Sequence, residues 1–145
     1  ISSAVCNSFK QEILVGTHNF TVLGSGGNAF KLALYTSSAS LGAGTTAYAT
    51  TNEISNTSGS AYTAGGKAIV SVTPALSGDT ACCDFADISF TSASFTANGC
   101  LIYNDTQADK AVCVVAFGSD KTVSSGTFTI QFPAADASNA IVRIA

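Results

Sequence analysis

At 145 residues the chain has the length of one domain, enough to bury roughly two-thirds of its unfolded surface in a single core. It is 46% hydrophobic but only 10% charged, against a usual charged share of about 25%. Its six basic residues (Lys10, Lys31, Lys67, Lys110, Lys121, Arg143) are scattered and the net charge is −3, which argues against a nucleic-acid surface. No apolar run is long enough to span a bilayer, so no membrane partner is expected.

From Ser3 to Val15, Val5, Phe9 and Ile13 recur every four residues, with Lys10, Gln11 and Glu12 on the other side. This spacing predicts a short amphipathic helix ended by Gly16. The competing reading is an arm whose first residues, Ile1 to Cys6, are extended and pair with a neighbouring copy. Residues 1–16 are therefore set apart as an arm, and 17–145 as one domain. Phe20 to Leu23 reads as a short strand before the Gly24–Asn28 turn, and Phe30 to Tyr35 as a strand with Phe30, Leu32 and Leu34 on one face. Thr36 to Tyr62, rich in Ser, Thr, Ala, Gly and Asn, reads as a long irregular segment with at most a short strand near Thr46 to Thr50.

Lys67 to Thr73 is the next predicted strand, closed by Pro74. Short extended pieces follow at Cys82–Phe85, Ile88–Thr91 and Ser94–Ala97. They lead to two apolar runs, Cys100–Tyr103 and Ala111–Phe117, separated by the polar tip 104–109. That is a hairpin, and its lack of alternation predicts that both faces are covered. With Tyr103 opposite Lys110, Cys100 falls opposite Cys113 at a spacing a disulfide tolerates. Gly118 to Lys121 reads as a turn. Thr127 to Phe132 alternates with Phe128, Ile130 and Phe132 toward the core, and Ala140 to Ile144 makes a last strand. Some eight short strands and one terminal helix predict a mainly β fold, an antiparallel β-sandwich of immunoglobulin-like or jelly-roll-like type.

The candidate chemistry is thin. Gly65-Gly66-Lys67 lacks the first Gly and the Ser or Thr of a phosphate loop and precedes a strand. His18 could serve Cys6 as a base, but no orienting carboxylate or oxyanion site accompanies it in sequence, and an exposed His after a helix is the plainer reading. Asp84 and Asp87 lack the dense oxygen spacing of a calcium loop and read as turn and strand-end carboxylates. The five cysteines (Cys6, Cys82, Cys83, Cys100, Cys113) contain no C-x-x-C pair, and there is one His, so neither metal nor cofactor is expected. An enzyme is not expected either. Asn19, Asn56 and Asn104 each begin an Asn-x-Ser/Thr sequon; Asn56 and Asn104 fall in loops that read as exposed, open to glycans after export.

Phe30 to Ala39, Tyr62 to Ala68, Leu101 to Asp105, Phe132 to Ala137 and Asn7 to Glu12 together resemble a family of small structural proteins of tailed bacteriophages and related environmental sequences. The resemblance covers nearly the whole chain and carries no catalytic residues. It implies a non-enzymatic virion component, in a capsid or tail, whose partners are copies of itself and a major capsid or tail protein. The cysteines and an insertion at Asn56 to Ser60 depart from that pattern and fit an extracellular fibril. The arm residues Ile1, Val5, Phe9 and Ile13 are the candidate assembly contacts. The alternative is a carbohydrate- or surface-binding sandwich module, which would display flat aromatic rings; the chain has no Trp.

Overall fold

A computed structural model describes residues 1–145. The chain is mainly β, with two antiparallel sheets and one short helix. The strands are β1 (Ala4–Val5), β2 (Phe30–Tyr35), β3 (Lys67–Ile69), β4 (Ser71–Ser77), β5 (Thr80–Phe85), β6 (Ile88–Asn104), β7 (Lys110–Ile130) and β8 (Val142–Ile144). The helix α1 spans Asn7–Leu14. One sheet has the order β1-β7-β6-β2-β3 and the other β4-β5-β8.

The larger sheet is built on the β6–β7 hairpin. Its apolar tip half is buried on both faces, as the unbroken apolar runs require. On the inner face Phe30 of β2 meets Phe85 of β5 at 5.8 Å, and Phe20 stacks on Phe30 at 4.5 Å. The outer face is covered by the irregular segment after β2. There Tyr48 stacks on Tyr103 at 4.8 Å, and the Tyr35 hydroxyl donates to the Ala49 carbonyl. The same segment finishes the sheet where β3 stops short. Leu34 N–H donates to the Tyr62 hydroxyl, and Ile54 N–H donates to the Leu34 carbonyl. A strand edge left open by its neighbour is thereby satisfied. Thr46 to Thr50 forms no strand, only an isolated bridge from Ala47 to Lys110.

Several sequence readings need correction. The helix begins at Asn7 instead of Ser3; the residues before it are extended and pair within the chain, Ala4 with Val114 and Val5 with Cys113. Phe20 to Leu23 is not a strand, and Leu23–Ser25 is a 3-10 turn. Lys67 to Thr73 divides at Val70, where the chain leaves one sheet for the other. Pro74 does not end β4 but sits at a register shift on this edge strand, where its missing N–H costs no ladder bond. Ile88 to Asn104 is continuous, as is Lys110 to Ile130. The expected turn at Gly118 to Lys121 is a bulge inside β7: Gly99 pairs with Ala116 and Ala97 with Lys121. A strand already paired along one side can absorb Gly and Asp as extra residues instead of reversing.

The register at the tip also differs. Asn104, not Tyr103, pairs with Lys110, and Val112 is an extra residue between the pairs Tyr103–Ala111 and Ile102–Cys113. Left-handed φ angles at Ala108 and Asp109 tighten the turn. Cys100 consequently faces Val115, and Cys113 faces Ile102.

Candidate functional site

Three groupings bring reactive side chains together, and a fourth leaves an apolar surface open. The first lies where the hairpin tip meets the helix. Asn104 is 0% exposed. Its Oδ1 accepts the backbone N–H groups of Thr106 and Gln107 at 3.1 and 3.2 Å, which fixes the amide orientation. Its Nδ2 therefore donates to Asn28 Oδ1 at 2.9 Å and to His18 Nδ1 at 3.0 Å. His18 Nδ1 being an acceptor, Nε2 carries the hydrogen and donates to Glu12 Oε2 at 2.6 Å. Lys110 Nζ lies 3.7 Å from the other Glu12 oxygen.

His18 is thus not the exposed residue its position suggested. It is buried, packed against Phe9 at 4.9 Å, and it does have an orienting carboxylate. The helix supplies Glu12 and the connection after Gly16 supplies His18. A pairing six residues apart across a turn leaves no periodic signal in sequence. Both ring nitrogens are occupied by internal partners, so the ring offers no free position to a substrate. Cys6, the thiol weighed as a partner for His18 and set aside, points to the Gly42 carbonyl at 4.0 Å, and burial followed by the Glu12 charge raises its pKa.

The second grouping gathers around Glu53, which the sequence did not single out. Its carboxylate accepts hydrogen bonds from Tyr48 (2.7 Å), Tyr62 (2.6 Å) and the Gly65 N–H (2.7 Å), while Tyr103 donates to the Gly65 carbonyl (2.6 Å). Gly66, at φ +77°, follows in close approach to the Leu32 carbonyl, where a Cβ could not fit. All four tyrosines of the chain lie on or under this outer layer, their phenol pKa values raised first by desolvation. The Gly-Gly-Lys sequence is the clasp that closes the layer onto the sheet.

The third grouping is the thiols. All five cysteines are free. Cys100 and Cys113 share the inner face but sit one cross-strand pair apart, so they do not form the directly opposed pair expected for a disulfide. Burial pushes Cys100 up to about 12 and Cys83 up to about 11. Burial, then the neighbouring Cys100, Cys6 and Cys83, pushes Cys113 up as well. Buried thiols shifted in this direction are poor nucleophiles.

Asp84 and Asp87 do not converge. Asp84 accepts the Phe85 N–H, and Asp87 accepts the Phe132 N–H. No group of three or more His, Cys, Asp or Glu side chains is placed to hold a metal ion. Among the sequons, Asn19 and Asn56 are exposed. Asn104 is the correction: with both amide hydrogens committed in a buried site, it cannot accept a glycan in the folded chain.

The open surface lies along the base half of β7. Beyond Val114 no strand of the chain pairs with the outer edge of β7. Beside it runs a groove of about 510 Å³ lined by Ile102, Val115, Phe117, Phe128, Ile130 and Ile141, with Lys121 its one charged residue. Phe128, Ile130 and Phe132, expected in the core, are half-buried along this groove. The four arm residues lie elsewhere. Phe9 is buried; Val5, Ile13 and Ile1 pack against the chain's own core. Ile1 fills the notch over Gly99, where an added Cβ would stand 2.9 Å from it. No helix is long and apolar enough to cross a membrane. No family model, curated protein or solved structure matches this chain.

Proposed function

We propose that this chain is a non-enzymatic, self-assembling structural subunit of a virion or an extracellular fibril, its two sheets forming a β-sandwich. The observation that carries the reading is the uncovered outer edge of β7 beside an apolar groove. A chain with 10% charged residues has few means of keeping such a surface from other molecules. The Phe20, Phe30 and Phe85 contacts between the sheets support the sandwich. The likeness to phage structural proteins supports the virion setting, with a major capsid or tail protein as a further partner.

The arm can join copies only by exchange, because Ile1, Val5, Phe9 and Ile13 are engaged at home. A carbohydrate-binding module is the weaker reading. The exposed large apolar residues are Leu, Val and Ile, and none is an aromatic ring able to stack on a sugar. Sedimentation velocity across a concentration series, with negative-stain imaging, tests the proposal. Filaments, shells or concentration-dependent oligomers are expected; a monomer at every concentration would refute it.

A further inference from the structure

The second sheet ends in a surface that matches the groove in chemistry. β4 and β5 are joined by the two-residue turn Gly78-Asp79, with Ser77 paired to Thr80 and Gly78 at φ +61°. A left-handed first turn residue is what a tight hairpin asks of Gly. Just before the turn, Leu76 is 76% exposed. Leu76 pairs with Ala81, and Ala81 with Ile144, itself 55% exposed. Residues directly opposite across strands share a face, so these three form one apolar ridge. The ridge ends at Asp79, which is exposed and belongs to none of the chain's ion pairs.

The groove has the opposite character. Its apolar wall carries Lys121, which has no carboxylate partner and donates only to Ser119 Oγ at 3.1 Å. An exposed ridge with one free anion and an open groove with one free cation are complementary. Bulges at Ala93 and at Phe117–Asp120 break the ladder beside the groove, so simple strand addition is disfavoured there and a protruding turn fits better. A pair joined by one such contact still has a free groove on one copy and a free ridge on the other.

We propose that the β4–β5 turn of one copy seats in the β7 groove of a second copy, Leu76 and Ile144 against the apolar wall and Asp79 beside Lys121. The contact is heterologous, so it propagates head to tail into a ring or filament. This rests on the assembly reading above and specifies its joint.

The test uses the full-length protein and three exposed positions whose replacement leaves the core untouched. Asp79→Lys, Lys121→Asp, the double swap and Leu76→Asp are compared with the parent by sedimentation velocity and imaging, with circular dichroism to confirm the fold. Each single variant is expected to weaken association tenfold or more, and the double swap to regain most of the Asp79→Lys loss. A parent that assembles while all single variants assemble equally well overturns this joint and leaves the assembly reading standing. So does a double swap no better than either single charge variant. A parent that never associates overturns both.

Discussion

The β6–β7 hairpin is one pair of strands with two physical lives. In the tip half, Leu101, Ile102, Ala111 and Val112 are fully buried, with sheet partners at both edges and a layer on each face. In the base half, Thr96 and Thr122 bond through their hydroxyls in solvent, neither outer edge has a strand partner and the ladder shifts register three times. The sequences differ accordingly: unbroken Cys100–Tyr103 and Ala111–Phe117 against the Thr- and Ser-rich Thr91–Ala97 and Thr122–Thr129. A strand pair takes its stability less from its own ladder than from what covers it, and an uncovered half is available to something else.

The largest expected effect that could break this contrast is in the core. Leu101→Ala should destabilise by about 2–5 kcal/mol in urea unfolding, as lost transfer energy and an uncollapsed cavity require. Phe128→Ala, although it removes more carbon, should cost clearly less because that ring already borders open space. Equal losses would mean that the two halves are equally supported. Next comes Asn104→Ala, which removes four hydrogen bonds and strands the Thr106 N–H, while Gln107 N–H keeps only its 3.3 Å bond to the residue 104 backbone carbonyl. A loss of roughly 3 kcal/mol is expected, from buried polar groups left without partners. A loss under ~0.5 kcal/mol would show that the tip is not held by this network.

The smallest effect is silent at neutral pH and sharpens the contrast from the outer layer. The phenol pKa values of Tyr35, Tyr48, Tyr62 and Tyr103 are raised in the fold above the usual value near 10, first by desolvation. Below that value both folded and unfolded chains are protonated, and the stability contribution is fully present. Above it the unfolded chain loses protons first, so stability falls as pH rises. Phenolate absorbance should therefore emerge together with loss of β circular dichroism. Phenolate formed in a still-folded chain would contradict a dry tyrosine layer.

Much of the tip half could be read from the chain. Apolar continuity announced a hairpin covered on both sides, and alternation placed Phe30, Leu32 and Leu34 on one face. What could not be read came from balances that sequence does not display. The tip register, with Asn104 opposite Lys110, and the bulge at Val112 each moved the pairing by one residue and together carried Cys113 from Cys100 to Ile102, without altering the apolar pattern. Asn104 sits in a sequence that signals an exposed loop, yet His18 and Asn28, distant in the chain, bury it. Glu53 lay in a Ser/Thr-rich run with nothing to mark it until folding brought two tyrosines to its carboxylate. The groove was missed for the reverse reason. Phe128 and Ile130 alternate as core residues do, and only the missing neighbour beyond β7 leaves them half-uncovered.

The pairing of β1 with β7 bears on how the protein is made. Ala4 and Val5 leave the ribosome long before Val114 and Cys113, their partners. The notch over Gly99 that receives Ile1 also arrives late. Until Val114 and Cys113 emerge, β1 has no strand to pair with in its own chain, and contacts so distant in sequence close slowly even after release. On a polysome crowded with identical nascent chains, that interval is when β1 of one molecule can find β7 of another.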